Sequence, residues 1–419
     1  MDKPLSGYRV LDMTHFQSGP SSTQLMAFLG ADVIKLEPPK GDTTRRSGRD
    51  FPNMDSLYFA LLNCNKRSLK VDLKTPEGKQ ILTQLIGKVD VLTENFGPGA
   101  MKRLGFPWEK IHEINPRVVL ASVKGYGSEG PYSRFKAYES TAQAMGGVMS
   151  VTGDAGQPPA LSGAALGDSG SGVHLLAGVL AALLQRERTG LGQQVEVAMM
   201  DCVLNLCRLR IMMHQQNENK YKLAVANGAP EEPGKSFAVA RKGNANHGTR
   251  NVGSTIRCAP GGPNDYVYLY IVGEGDYWKD FCKAIGRPDI VDDPRFATHG
   301  KRHQNQYELF AVIEESYTLK HTKQELLEFF NGIGNPCGAV MDTGDLIKDA
   351  HLKQRDMIVD VPHPQRGSFV NVGCPMKLSG SKVEITAPPL LGEHSEQVLG
   401  ELLGYPAGQI DELKQKGVI

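Results

Sequence analysis

YRVLDMTHFQSGPSSTQLMAFLGADVIKLE, residues 8–37, reads as one strand–helix–strand unit. Tyr8–Thr14 is a short run rich in β-formers, a turn follows, an apolar-periodic stretch runs through Leu29, and Asp32–Glu37 alternates again. The same alternation continues downstream. Pro76–Gly87 carries proline in its first turn and puts Ile81, Leu82, Leu85 and Ile86 on one face, the pattern of an amphipathic helix. Val89–Leu92 and Val118–Val123 read as strands, with a short helix at Trp108–Ile114 between them. A small-residue loop, Gly167–Gly172, feeds an apolar helix at Val173–Arg188 that Gly190 and Gly192 stop, and Gln194–Ala198 is a further strand. Strands separated by helices predict an α/β fold with a mainly parallel sheet.

After a helix from about Asp201 to Gln215, residues 216–255 turn rich in Asn, Gly, Lys and Pro and predict a linker or mobile loop. Tyr266–Val272 is a strong strand, and helices at Tyr277–Ile285, Tyr307–Tyr317 and Lys323–Phe330 predict a second, smaller α+β domain. Short strands and turns fill Cys337–Thr386, and a helix closes the chain at His394–Leu403. The expected organisation is a large domain over 1–215 completed by about 387–419, a linker over 216–255, a small domain over 256–335 and a return linker over 336–386.

Composition narrows the function. Among 419 residues, 47 Lys plus Arg face 46 Asp plus Glu, so no global charge draws the chain to nucleic acid or anionic lipid, and an anionic ligand must be held locally. The longest apolar run, Leu175–Leu184, is half a membrane span, and the start Met-Asp-Lys-Pro lacks an apolar signal core. Seven cysteines without a CxxC pair fit reduced structural thiols and a cytoplasmic location. No metal-ligand spacing and no G-x-S-x-G elbow are present.

Gly125-Tyr-Gly-Ser-Glu-Gly130 matches GxGxxG after a strand, but Pro131-Tyr132-Ser133 follows and no helix opens, which favours a glycine-rich turn over a dinucleotide loop. Asp168 lies among Gly167, Ser169 and Gly170, ahead of an apolar helix. It fits either an acid near the helix cap or an exposed carboxylate nucleophile whose oxyanion neighbouring amides would hold. Lys66-Arg67, Lys74, Arg103, Lys124 and Lys136 fall at segment ends, where together they could gather a polyphosphate.

An ordered set of stretches then becomes recognisable. They are GYRVLDMTHFQSGP (7–20), LGADVIKLEPPKGD (29–42), NCNKRSLKVDLK (63–74), ENFGPGA (94–100), NPRVVLASVKGY (115–126), GAALGDS (163–169), TGLGQQV (189–195) and PLLGEH (389–394). The chain resembles the class III, CaiB/BaiF-like, CoA-transferases, and within them the branch that moves CoA from formyl-CoA to oxalate. The resemblance implies a Rossmann-like large domain joined by long linkers to a small domain, in a homodimer whose two chains interlock like linked rings. It implies Asp168 as nucleophile, passing through an acyl anhydride and an aspartyl-CoA thioester. Coenzyme A is then substrate and carrier, with no tightly bound cofactor and no metal. Gln17 and Glu139 match catalytic-site positions. Gln17, Ser18, Val71, Asp72, Leu73, Lys74, Asn95, Phe96, Gly97, Arg103, Phe135, Lys136, Ala137, Tyr138 and Met199 match the CoA site, with Lys74, Arg103 and Lys136 as phosphate partners.

Three departures from that branch bear on the acid. Pro38 replaces an arginine that contacts CoA, Ser47 replaces a larger Trp or Gln, and Gly243-Asn-Ala-Asn-His-Gly-Thr-Arg-Asn-Val-Gly253 replaces a mobile run of four glycines and a glutamine. A substrate loop is expected there, with Asn246, His247, Gly248 and Arg250; either it does the same work with other residues, or His247 or Arg250 pairs with the second carboxylate of a larger diacid. The alternatives are transfer to another dicarboxylate from succinyl-CoA or acetyl-CoA, and a CoA-binding subunit without chemistry of its own.

Overall fold

The computed structural model describes residues 3–245, 252–273 and 275–419. Six parallel strands, β1 (Arg9–Asp12), β2 (Asp32–Glu37), β3 (Arg67–Lys70), β4 (Val91–Glu94), β5 (Val119–Lys124) and β6 (Gln194–Ala198), form one sheet in the order β3-β2-β1-β4-β5-β6. The order reverses between β1 and β4, which pair in register at Val10–Val91 and Leu11–Leu92. Helices connect the strands: α1 (Ser18–Phe28), α2 (Leu57–Asn63), α3 (Pro76–Ile86), α4 (Ala100–Leu104), α5 (Trp108–Ile114), α6 (Glu139–Met145), the short α7 (Val148–Val151) and α8 (Asp168–Thr189). Beyond β6 come α9 (Met199–Leu206) and α10 (Arg208–Ala226).

The near-continuous apolar strands follow from burial of both sheet faces. Leu11, Ile34, Leu69, Leu92 and Leu120 point to one side, where α3 and α5 pack together with the C-terminal helices Ser395–Leu403 and Ala407–Gln415. Their sequence neighbours Val10, Val33, Val91 and Val119 point to the other, against α1 and α8. The α1–α8 contact depends on missing side chains. A Cβ on Gly172 would sit 2.6 Å from Ser21 Cβ and 2.9 Å from the Ser18 carbonyl.

Gly167–Gly172 is therefore not a loop feeding a helix that starts at Val173. The helix begins at Asp168, and its glycines and serines are small because α1 lies against them. The helix expected to end near Gln215 also continues, through α9 and α10, to Ala226. As expected, Gly125–Gly130 is a turn with Gly127 and Gly130 at positive φ, and no helix opens directly from it.

Two compact units emerge. One comprises Met1–Met149, Leu161–Ala238 and His351–Ile419; the other comprises Ser150–Ala160 and Val239–Ala350. The second holds an antiparallel sheet of β7 (Val252–Arg257), β8 (Tyr266–Ile271) and β9 (Cys337–Ala339). Its core joins Val267, Leu269 and Ile271 of β8 to α11 (Asp276–Ala284), α13 (Gln306–Ser316) and α14 (Lys323–Gly332), with α12 (His299–Gln304) beside them. In the first unit, β10 (Ile358–His363) and β11 (Gly367–Val372) form a hairpin. Among the described residues no helix is long and apolar enough to cross a membrane.

Candidate active site

In an open parallel sheet, the crevice outside the strand carboxyl ends at the point of reversed order is where ligands bind. A cavity of about 480 Å³ lies there. Phe16 and Ser18 reach it from the end of β1, Asn95–Pro98 from β4, Val123–Gly127 from β5 and Met199 from β6; Phe135–Glu139 and Asp168 complete the wall with Tyr58 and Ser133.

Buried charges hold the β1 turn. Asp12 accepts from Thr14 N at 2.9 Å, Thr14 Oγ1 at 2.5 Å, Thr23 Oγ1 at 2.7 Å and Lys66 Nζ at 3.0 Å. Burial alone would raise its carboxyl, but Lys66 and Lys35 hold it well below the usual range. Lys35 pairs with Asp42 at 3.0 Å and donates to the Thr14 carbonyl at 2.8 Å. Asn95 spans the β1 and β4 turns, accepting from His15 N at 2.8 Å and donating to His15 O at 2.7 Å and Ser18 Oγ at 3.1 Å. Phe16, between them, has φ +59°, a left-handed conformation costly for a bulky residue.

At the nucleophile turn, Glu139 takes both leading amides. Gly167 N donates to Oε1 at 3.0 Å and Asp168 N to Oε2 at 2.6 Å, while Gln143 also donates to Oε1 at 2.7 Å. The next two amides, of Ser169 and Gly170, donate to Ala165 O at 2.9 and 3.3 Å. The expected backbone donors for an oxyanion are thus engaged, which corrects that part of the sequence reading. Asp168 occupies the first helical position rather than the cap, which is Gly167. Burial, reinforced by the Glu139 charge, pushes its carboxyl up to about 6. Gln17 Nε2 reaches Ser169 Oγ at 2.9 Å, placing the carboxamide one residue from the nucleophile.

Most of the CoA-site positions named from sequence line this crevice: Ser18, Asn95, Phe96, Gly97, Phe135, Lys136, Ala137, Tyr138 and Met199, with Glu139 and Asp168. Gln17, Val71, Asp72, Leu73, Lys74 and Arg103 are not among its lining residues. The Val71 side chain is buried in the core, so any ligand contact from it would come from backbone, and Leu73 packs on that core. Asp72 Oδ1 accepts from Lys74 N at 2.9 Å, and Arg103 donates to Pro98 O at 2.9 Å beside the mouth. Asn246, His247, Gly248 and Arg250 lie outside the described residues.

The six cations divide. Lys66 pairs with Asp12, Arg67 with Asp32 and Glu401, and Lys124 with Glu94, so these three are structural. Lys74, Arg103 and Lys136 have no acidic partner among the described residues. Sequence reasoning missed Tyr58, which ends on the crevice wall. Burial, with the Asp168 charge behind it, pushes its phenol up to about 12, so it stays a hydrogen-bond donor. Its placement rests on the helix cap Ser56, whose hydroxyl accepts from Tyr58 N, and the NMDSLYF stretch carries that cap in plain view.

Comparison with known proteins gives the family. The sequence model described as CoA-transferase family III matches residues 5–395. Formyl-CoA:oxalate CoA-transferases of Streptomyces coelicolor and Escherichia coli O157:H7 are 53% and 45% identical. The alignments cover 100% of this chain, and 99% and 100% of those proteins. The crystal structure of a CAIB/BAIF family protein from Brucella suis superposes with a TM-score of 0.80 at 30% identity, covering 96% of this chain and 100% of that one. The chain belongs to CoA-transferase family III.

Proposed function

We propose that this enzyme moves CoA from formyl-CoA to oxalate, with Asp168 as the nucleophile. The observation that carries the reading is a poorly solvated carboxylate on the wall of a crevice whose other walls hold most of the expected CoA-site positions. Full-length relatives that bear this activity in their names support the substrate pair.

An Asp168 oxygen attacks the formyl-CoA carbonyl, the C–S bond breaks, and CoA leaves as thiolate with a formyl–aspartyl anhydride behind it. The thiolate attacks the aspartyl carbonyl of that anhydride, expelling formate and leaving an aspartyl-CoA thioester. An oxalate carboxylate attacks this thioester, again releasing CoA thiolate, and the thiolate attacks the oxalyl half of the second anhydride. Oxalyl-CoA departs and Asp168 is restored. Thioester energy is conserved throughout, and each attack by a carboxylate or thiolate proceeds without proton transfer. What every step needs is a donor for the tetrahedral oxyanion. With the turn's amides engaged, that role falls to Gln17, and Glu139 acts by tying down the amides of Gly167 and Asp168. Lys74, Arg103 and Lys136, free of acidic partners among the described residues, take the CoA phosphates.

The proposal includes an interlocked homodimer, supported by α10, which buries none of its residues and exposes Leu209, Ile211 and Leu223. The large domain is assigned to 1–215 with 387–419 and the small domain to 256–335, joined by 216–255 and 336–386; within the latter, β9 belongs to the second unit's sheet and the β10–β11 hairpin to the first unit. Seven unpaired thiols support a cytoplasmic setting. One observation favours a second acceptor: Ser47 folds back on Thr43 O at 3.1 Å, leaving no bulk where the oxalate branch carries a large side chain. A larger dicarboxylate, with succinyl-CoA or acetyl-CoA as donor, is the resulting alternative.

Mass-spectrometric transfer assays decide. Formyl-, acetyl- and succinyl-CoA are each supplied with oxalate, then with larger diacids, using wild type and Asp168→Ala. Oxalyl-CoA formed fastest from formyl-CoA supports the proposal; faster product from a larger diacid supports the alternative. CoA binding without transfer by wild type would leave the non-catalytic subunit.

A further inference from the structure

Gln17 is the N-cap residue of α1, but its side chain makes no capping hydrogen bond. Its side chain crosses to α8 and donates from Nε2 to Ser169 Oγ at 2.9 Å. Ser21, one turn into α1, donates its single hydroxyl proton back to the Gln17 carbonyl at 2.7 Å. Ser21 Oγ and Ser169 Oγ lie 3.5 Å apart. With the Ser21 proton engaged on backbone, only Ser169 can donate across that gap. The contacts then run one way round a ring, from Gln17 to Ser169, to Ser21 and back to Gln17.

Direction matters because the two ends of a carboxamide have nearly the same shape and opposite polarity. A Ser169 hydroxyl that donates to Ser21 turns lone pairs toward Gln17; these accept from Nε2 and repel Oε1. Nε2 carries a second proton that has no partner among the described residues. The ring is held at short range because Gly172 lets α8 lie against Ser18 and Ser21.

We infer that Ser169 is a positioning residue for CoA transfer: it orients the Gln17 carboxamide nitrogen-first beside Asp168, so that the free Nε2 proton meets the oxyanion. The inference rests on the roles proposed above for Asp168 and Gln17. Ser169 need not touch substrate. Its effect passes through Gln17, and the engaged amides of residues 167–170 offer no replacement.

The test is a double-mutant cycle on the full-length protein, assayed with the acyl-CoA and acid that wild type turns over fastest. Ser169→Ala is expected to lower kcat about ten-fold with KM for acyl-CoA within about two-fold of wild type, the pattern of a lost transition-state contact. Ser169→Thr keeps the hydroxyl and should recover most of the rate. In a Gln17→Ala background, Ser169→Ala should cost nothing further, because the group it positions is gone. A crystal structure of Ser169→Ala should show the Gln17 carboxamide turned away. A wild-type rate for Ser169→Ala, or an equal loss in both backgrounds, overturns the inference. If Ser169→Ala fails to fold, the Thr variant still decides, since a Thr variant as slow as Gln17→Ala would also overturn it. Asp168→Ala separates the two levels. Transfer surviving in that variant sinks the mechanism and this inference together, whereas an inactive Asp168→Ala with additive Ser169 effects sinks only this one.

Discussion

Replacing Asp168 with Asn should stabilise the protein, and by an amount that grows with pH. Burial, and then the Glu139 charge, raise the Asp168 carboxyl from 3.8 to about 6. A raised carboxyl binds more protons folded than unfolded between those values, so its contribution to stability falls as pH rises through the window and stays lower above it. Integrating the linkage gives a penalty of about 1.6 kcal/mol at pH 5 and about 3 kcal/mol at pH 7.5. Solvent reaching the carboxylate through the crevice mouth trims both figures, to roughly half at the least. Asparagine keeps the shape and the Asp168 amide bond to Glu139 but carries no charge. Urea or thermal unfolding of wild type and Asp168→Asn, at pH 5, 6.5 and 7.5, should therefore show the variant ahead at every pH. The gap should widen by about 0.7–1.4 kcal/mol across the series. A gap that is constant or narrows with pH would refute the argument that the nucleophile is held in a costly environment.

The same raised carboxyl must be ionised to attack, so the single-turnover rate should fall below about pH 6; a limb centred near pH 4 would contradict this. Gly172→Ala drives a methyl into Ser21 and the Ser18 carbonyl and should cost about 1–3 kcal/mol in urea unfolding, with a rate loss from the displaced Gln17. Lys66→Met leaves Asp12 charged without its buried partner and should cost about 3–5 kcal/mol by the same measurement. Lys136→Ala should raise KM for acyl-CoA about ten-fold while kcat stays within about two-fold, read from initial rates.

Much of this was legible in the sequence, for stated reasons. Val91–Glu94 and Val119–Lys124 show themselves because parallel strands covered on both faces are largely apolar or β-branched, whereas Gln194–Ala198, at the edge of the sheet, shows itself by alternation. The start of α8 was hidden because Ser169, Gly170 and Gly172 have the composition of a loop, and only the facing α1 explains them. Cations at strand ends looked alike in sequence; acids distant along the chain, Asp12, Asp32 and Glu94, separate the structural from the free ones. The occupation of the nucleophile-turn amides by Glu139 could not be read from spacing, since 28 residues separate Glu139 from Gly167.

The C-terminal helices carry a consequence for how the protein is made. Val398, Leu399, Ile410 and Leu413 cover the same sheet face as Leu11 and Ile34, and Asp72 N donates to Val418 O at 2.7 Å. That face, begun by α3 and α5, thus waits for nearly four hundred residues beyond the first strand before its cover is complete. Until then the nascent chain shows apolar surface that sticks to other chains, and the second unit must fold in the interval without capturing it. Synthesis stalled after Ala350 would yield a complete second unit tethered to an unfinished first one, a species that chaperones rather than substrate would bind.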